Sequence, residues 1–232
     1  AHTYEGKKDY VEARALRLDE IPRLIGEYVK AAENALRAGF DGVQIHSANG
    51  YLLDQFLRDN ANFRDDDYGG SIENRIRLST EVTQAVADVI GAERTSIRFS
   101  PNGDSQGCND SDPGALFTAA AAAMEKIGVA FVELREPGED GTFGSTNVPP
   151  VSPHIRKVFS GPLVLNSDYT RERADAALAS GVADAISFGR PFISNPDLVE
   201  RLRDNAELTP DNFRTWYSPG PEGYTDYPAR QT

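Results

Sequence analysis

The sequence predicts an α/β protein in which short parallel strands alternate with helices. Five short apolar segments of strand length are separated by segments in which apolar residues recur at helical spacing. We interpret these segments as strands in which apolar and polar residues do not alternate, as expected when both faces of a sheet are covered. The pattern fits either a (β/α) barrel or an open doubly wound sheet, and the order of elements does not choose between them.

The predicted elements alternate along the chain. The first helix begins at the acidic residues Asp19 and Glu20 with Pro22 in its first turn, which is typical of helix N-termini. Ser71 and Thr170 are predicted N-caps, since a hydroxyl oxygen can accept from the first backbone amides of a helix. In chain order, we predict a helix over 19–38, a strand over 42–46, a helix over 71–89, a strand over 95–100, a helix over 113–127, a strand over 130–134, a weaker helix over 152–159, a strand over 162–166, a helix over 171–180, a strand over 184–188 and a final helix opening at 195–197.

The composition argues against several classes of partner. The chain has 24 Lys and Arg against 36 Asp and Glu, and the resulting charge of −12 opposes binding to nucleic acid or anionic membranes. No apolar run approaches the roughly 18 residues of a membrane helix, and the first residues do not resemble a signal peptide. The single cysteine, Cys108, fits a reducing compartment. We therefore expect a cytoplasmic protein without a nucleic-acid or membrane partner.

Polar side chains lie at the ends of the first two predicted strands. If the fold is a barrel, its active site lies at the C-terminal ends of the strands. His46, Asn49 and Tyr51 follow the first strand and can converge on one small molecule, although their spacing alone favours a structural role. Arg98 lies within the second strand, where a buried cation needs a carboxylate, an anion or a polar cofactor. A functional role and a structural ion pair are about equally favoured for this arginine.

The last two predicted strands end in residues suited to phosphate binding. Asn166 and Ser167 follow one strand, and Gly189 and Arg190 follow the other. Glycine lets backbone amides approach a ligand closely, and arginine can hold a phosphate through two hydrogen bonds. Because late barrel strands often hold phosphate at this place, we favour a phosphate site over a plain turn.

Other polar features predict no chemistry. Asp65–Asp67 is interpreted as a solvated loop rather than a metal cluster, and Cys108 has no neighbouring base that would make a catalytic thiol. His2 and His154 lack partners at metal-ligand spacing, so we expect no metal site. The acidic stretch Glu133–Asp140 is interpreted as an exposed loop.

Four segments resemble the old yellow enzyme family. Residues 38–57, AGFDGVQIHSANGYLLDQFL, and residues 62–75, NFRDDDYGGSIENR, are similar to its signature, and the Tyr-Gly-Gly-Ser-x-Glu-Asn-Arg core is highly specific. Residues 186–192, ISFGRPF, and residues 222–228, EGYTDYP, follow in order at family spacing. The similarity is to the bacterial N-ethylmaleimide, nitrate-ester and xenobiotic reductases.

The resemblance implies a fold and a domain arrangement. The fold is a (β/α)8 TIM barrel, of which this chain supplies the last five βα units, strands 4–8. Residues 1–232 are then the C-terminal portion of a single FMN-binding barrel domain. Strands 1–3 are expected to be missing or to come from a complementing N-terminal chain, because five strands alone would leave two open sheet edges.

The resemblance also implies roles for the residues singled out above. His46 and Asn49 would donate hydrogen bonds to the carbonyl or nitro oxygen of a substrate, and Tyr51 would protonate the carbon next to the activating group. Many bacterial relatives carry a second histidine at the position of Asn49, and either residue is a donor. Arg98 would lie beside the pyrimidine edge of FMN. Tyr217 matches an aromatic position beside the substrate.

The implied activity is an FMN-dependent ene-reductase. Gly189 and Arg190 would hold the FMN phosphate, helped by backbone near Asn166 and Ser167. Enones, maleimides, nitro compounds and, as a further class, nitrate esters would be reduced in two half-reactions, with NADPH or NADH as hydride donor. An iron–sulfur relative of the dienoyl-CoA reductase type is disfavoured by the single cysteine. The alternative is a non-catalytic half-barrel fragment that binds flavin only with its N-terminal complement.

Overall fold

A five-stranded parallel sheet is the centre of the computed structural model, which describes residues 2–3, 6–9, 13–141, 145–217 and 219–230. Each strand of this sheet pairs with the next one along the chain. In chain order the strands are β1 (His2–Thr3), β2 (Gly6–Lys7), β3 (Val43–His46), β4 (Thr95–Phe99), β5 (Val132–Arg135), β6 (Leu163–Asn166) and β7 (Ala185–Ser187). The order β3-β4-β5-β6-β7 is that of a barrel wall, because a doubly wound sheet reverses its strand order at a switch point.

Helices follow each strand of the sheet. In chain order they are α1 (Ile21–Arg37), α2 (Leu52–Leu57), α3 (Ile72–Ile90), α4 (Pro113–Ile127), α5 (Ser152–Ile155), α6 (Arg171–Ala179), α7 (Arg190–Ser194) and α8 (Leu198–Asp204), with 3-10 turns at Leu18–Glu20 and Ala92–Arg94. Among the described residues, none of these helices is long and apolar enough to cross a membrane.

The five predicted strands are confirmed, but two short strands and two short α-helices were not predicted. The antiparallel pair β1–β2 has only two residues in each strand, too few to show a period of two. Helices α2 and α7 have six and five residues, which is less than two turns. The predicted helix over 152–159 is also shorter than expected, since only Ser152–Ile155 is helical.

The strands alternate in polarity, contrary to the prediction of uniformly apolar runs. Ile45, Ile97 and Leu134 are buried in the core formed with the helices, while His46, Arg98 and the residues adjacent to them in register lie on the opposite face. Successive side chains of a strand point to opposite faces, so the face away from the helices is polar. It carries Gln44, His46, Arg98, Glu133, Arg135, Asn166 and Ser187.

The predicted N-caps are confirmed in geometry. The backbone N–H of Asn74 donates to Ser71 Oγ at 3.2 Å, and that of Arg173 donates to Thr170 Oγ1 at 3.3 Å. Each hydroxyl satisfies one amide that the helix itself leaves without an acceptor. Ser71 therefore caps α3, and Thr170 caps α6.

Removal of the first cap should lower stability modestly. Ser71→Ala deletes the oxygen that accepts from Asn74, so the free energy of unfolding should fall by about 1 kcal/mol, measured by urea denaturation. Ser71→Thr keeps a hydroxyl and should retain most of the stability. If Ser71→Ala were as stable as the parent, the cap would contribute nothing here.

Candidate active site at the carboxyl ends of the strands

A cavity of about 730 Å³ lies at the carboxyl ends of β4, β5, β6 and β7; we call it the strand-end cavity. Seven residues predicted from the sequence line it: Asn49, Arg98, Asn166, Ser167, Gly189, Arg190 and Tyr217. The parallel sheet explains this convergence, because the carboxyl ends of all five strands lie at one edge. The structure thus brings residues separated by more than 160 positions into one site.

His46 and Tyr51 lie beside this cavity rather than among its lining residues. Their ring centroids are 5.5 Å apart with an angle of 56° between the planes. Desolvation, and next the positive charge of Arg98, hold the pKa of His46 below its ordinary value. The imidazole is therefore neutral at pH 7 and can donate one hydrogen bond. Tyr51 is 56% exposed, so its phenol is accessible to a small molecule.

The loop after β3 places Asn49 in the strand-end cavity. Asn49 adopts a left-handed backbone conformation with φ of 59°, which asparagine tolerates better than most residues. Its backbone N–H donates to Ser100 Oγ at 2.7 Å. The next amide, of Gly50, donates to Asp54 Oδ2 at 2.8 Å, and Asp54 forms a fully buried ion pair with Arg58 at 2.7 Å. This network holds the loop against the sheet.

Arg98 has the polar partners that its position in a strand requires. One terminal nitrogen donates to Asn166 Oδ1 at 2.7 Å, and the other lies 3.8 Å from Glu133 Oε1. Its Nε atom is buried without a hydrogen-bond partner among the described residues, and so is Oδ1 of Asn49. Buried polar atoms are normally satisfied, so these two atoms in one cavity indicate a place for a polar ligand.

The expectation of an exposed loop over Glu133–Asp140 is wrong for its first residues. Glu133 and Glu136 are only 6% and 9% exposed, and exposure begins at Gly138. Glu136 accepts from the backbone amides of Val151 and Ser152 at 2.5 and 3.0 Å. The acidic residues of this stretch predicted exposure to solvent. Glu133 instead belongs to β5, and Glu136 binds the backbone amides at the far end of the loop that follows β5.

Three arginines, one each from β4, β5 and the start of α7, line the strand-end cavity. Arg190 pairs with Asp168 at 2.5 Å, and Arg135, which is 8% exposed, lines the same cavity as Arg98. Burial, followed by the charge of Arg98, lowers the pKa of Arg135, which nevertheless stays protonated. Three guanidinium groups around one cavity, in a chain with a charge of −12, are suited to an anionic ligand.

Sequence reasoning missed Arg135 as a site residue, and it gave Asp168, at the polar end of β6, no role of its own. Arg135 ends β5, so the rule that identified the other polar strand ends also applied to it, but the acidic residues around it obscured the signal. Asp168 follows Ser167 in a turn where both residues have positive φ, 49° and 113°. Two successive non-glycine residues in this region mark a strained loop, a feature typical of ligand sites.

The remaining polar features show no catalytic arrangement. Cys108 is buried, and desolvation raises the pKa of its thiol, which makes it a poor nucleophile. Asp66 accepts a hydrogen bond from Arg64 at 2.6 Å and another from the Tyr68 amide at 3.0 Å. In the described part of the chain, no group of three or more His, Cys, Asp and Glu side chains is placed to hold a metal ion.

Comparisons with known proteins agree with this geometry. Residues 2–209 match the model of the NADH:flavin oxidoreductase / NADH oxidase family. Two curated relatives from Oryza sativa subsp. japonica are 12-oxophytodienoate reductase 1, 43% identical over 221 residues, and 12-oxophytodienoate reductase 7, 43% identical over 233 residues. Each match covers 94% of this chain, but only 58% and 59% of the relative.

Solved structures show the same partial coverage. The old yellow enzyme homologue from Zymomonas mobilis is 61% identical with a TM-score of 0.97, and the match covers 99% of this chain and 64% of that one. Morphinone reductase in complex with tetrahydroNAD is 40% identical with a TM-score of 0.90, covering 99% and 62%. The chain spans about three fifths of the length of these relatives. Its five βα units form part of a TIM barrel, and the chain belongs to the NADH:flavin oxidoreductase / NADH oxidase family.

Proposed function

We propose that this chain is the substrate-binding and phosphate-binding part of an FMN-dependent ene-reductase that uses NADPH or NADH. The observation that carries the proposal is the strand-end cavity. Asn49 in the cavity and His46 beside it offer donors for a substrate oxygen, and the arginines of the cavity offer cations for a phosphate. Because the chain spans about three fifths of its relatives, the activity proposed is that of the whole protein.

The residues of the cavity fit FMN. Its unsatisfied buried atoms, Nε of Arg98 and Oδ1 of Asn49, are suited to a polar planar ring, which offers both acceptors and donors. Arg190 and the amide-bearing turn at Asn166 and Ser167 are suited to the phosphate, since arginine binds phosphate oxygens in a planar fork. When bound, FMN supplies hydride transfer between a nicotinamide and an alkene.

The substrate oxygen is proposed to lie between His46 and Asn49. A neutral His46 donates one N–H, and the side-chain amide of Asn49 donates a second, so both stabilise negative charge that develops on the oxygen. Tyr51, whose ring contacts that of His46, supplies a proton to the carbon next to the activating group. Tyr217, which lines the cavity and is largely exposed, contacts the substrate from the other side.

The substrate class is an activated alkene. The names of the relatives denote ketones, 12-oxophytodienoate and morphinone, which supports a carbonyl as the activating group. Maleimides and nitroalkenes present similar acceptor oxygens to the two donors and belong to the same class. Nitrate esters, which have no C=C bond, are proposed as a further class whose oxygens accept from the same donors. The protein is further proposed to act in the cytoplasm, without nucleic-acid or membrane partners.

The barrel is proposed to be completed by three further strands. In the described residues β3 and β7 are the two edges of the sheet, and each has one hydrogen-bonded neighbour. Open edges of this kind favour pairing with another segment. Residues 1–232 are then the C-terminal portion of one FMN-binding barrel domain, with strands 1–3 on a preceding segment or on another chain. The alternative is a fragment that does not turn over by itself.

Flavin binding with and without the missing strands tests this proposal. We expect the chain, co-expressed with the N-terminal segment of the Zymomonas mobilis homologue, to retain FMN through gel filtration with flavin absorbance. A phenol should perturb that spectrum, and His46→Ala should weaken the effect without loss of FMN. FMN bound only in the complemented sample supports the split barrel. No flavin in either sample would contradict the proposed function.

A further inference from the structure

A buried carboxylate lies directly beside the arginine proposed to contact the flavin. Glu133 is 6% exposed, and its Oε1 atom lies 3.8 Å from the guanidinium of Arg98. In register, Arg98 of β4 is adjacent to Glu133 of β5. Within the five strands of the sheet, all of which are described, Glu133 is the single acidic residue. It therefore introduces the one negative side-chain charge in the polar face of the sheet itself.

The partners of Glu133 are all donors. Gln44 Nε2 donates to Oε2 at 2.8 Å, and Ser187 Oγ donates to Oε1 at 2.5 Å. Two neutral donors and one cation suit an ionised carboxylate, which only accepts hydrogen bonds. The three partners come from β3, β4 and β7, so the carboxylate joins strands that are not neighbours in the sheet. A side chain held from three directions is fixed in position.

We propose that Glu133 is a positioning residue that holds Arg98 and reduces the positive charge which this guanidinium presents to the flavin. This inference rests on the proposed function and adds a control of reduction potential to it. Reduction of the flavin adds negative charge at the pyrimidine edge, and a cation there favours the reduced form. A carboxylate 3.8 Å from that cation opposes part of its field. The flavin is therefore held at a lower midpoint potential than Arg98 alone would set.

The same pair of charges acts on His46. The pKa of His46 is lowered chiefly by desolvation and then by Arg98, whereas Asp54 and Glu133 raise it. Loss of the Glu133 charge should therefore lower the pKa of His46 further. The chain has three histidines, so the imidazole signals can be followed individually by NMR. This measurement does not require bound flavin.

Two substitutions with opposite expected signs test the proposal. Glu133→Gln keeps the shape and removes the charge, so the midpoint potential of bound FMN should shift upwards and the pKa of His46 downwards. Ser187→Ala removes the donor at 2.5 Å and leaves the carboxylate charge less compensated, so the potential should shift slightly downwards. Glu136→Gln is the control, since it makes the same side-chain replacement at a buried carboxyl group outside this pair. Its partners are the amides of Val151 and Ser152, and burial raises its pKa.

The outcomes separate this inference from the proposed function. Opposite shifts in Glu133→Gln and Ser187→Ala, with Glu136→Gln unchanged, support it. Shifts in one direction for all three variants indicate general damage and overturn it, as does an unchanged potential in flavin-bound Glu133→Gln. If Glu133→Gln does not fold, the direction of the potential shift in Ser187→Ala decides: a downward shift supports the inference, and an upward or absent shift overturns it. A parent protein that binds no flavin in the complemented barrel overturns both the proposed function and this inference.

Discussion

Replacement of Tyr51 by phenylalanine is expected to slow enone reduction by about 10²- to 10⁴-fold, the usual contribution of a positioned general acid. The change removes one phenolic oxygen from a side chain that is 56% exposed, so neither the fold nor the ring contact with His46 at 5.5 Å should change. The rate should be measured in the half-reaction with the alkene, after the bound flavin has been reduced. Reduction of the flavin by the nicotinamide should remain at the parent rate.

The comparison with Tyr28→Phe isolates the role of the Tyr51 hydroxyl. Tyr28 lies on α1, packed against the core, so the same atom is removed outside the site. This control should turn over enones normally. Nitroalkenes, whose activating group is more strongly electron-withdrawing, should be less affected by Tyr51→Phe. If every enone were reduced at the parent rate, Tyr51 would not be the proton donor.

Replacement of Arg190 by alanine is expected to weaken FMN binding by about 10- to 100-fold, as charged hydrogen bonds contribute about 1.5–3 kcal/mol. Arg190 lines the strand-end cavity at the N-terminus of α7, next to Gly189. Riboflavin, which lacks the phosphate, should bind both variants with similar affinity. Titration by quenching of flavin fluorescence gives both dissociation constants. Equal losses for FMN and riboflavin would place Arg190 at the ring system instead.

Two further variants refine this test. Arg171→Ala removes a partly exposed arginine on α6 that pairs with Asp175 at 3.6 Å, and it should leave FMN affinity unchanged. Arg190→Ala also removes one ion-pair partner of Asp168, at 2.5 Å, so the negative charge of this carboxylate near the phosphate is less compensated. The double variant with Asp168→Asn should recover part of the loss. The remainder measures the contact between Arg190 and phosphate.

The positions of the strands could be predicted because each is a short run bounded by glycine, proline or polar residues. The polarity of the face that points away from the helices could not be predicted. A run such as Val132–Arg135 alternates over only four residues, and the polar side chains of this face come from strands that are far apart in sequence. The short helix α7 was not predicted, although Pro191 lies in its first turn. Elements of less than two turns carry too few residues for a periodic signal.

The site was predictable only in part. Position at a strand end indicated His46, Asn49 and the phosphate-binding candidates, while the resemblance supplied their roles. For Arg98 the sequence predicted a carboxylate, an anion or a polar cofactor as partner. Which residue supplies the carboxylate depended on tertiary structure. Glu133 lies 35 residues further along the chain, and only the register between β4 and β5 brings the two together. Pairings of this kind are not encoded in local pattern.

The left-handed backbone at Asn49 limits which residues can serve as the second donor to a substrate oxygen. With φ of 59°, the position favours asparagine, aspartate, histidine and glycine over other side chains. Of these four, only asparagine and histidine are neutral donors at pH 7. Glutamine has the same amide chemistry but a less suitable backbone preference. The peptide conformation thus favours asparagine and histidine as the donors at this position, and either one preserves the hydrogen bond to the substrate oxygen.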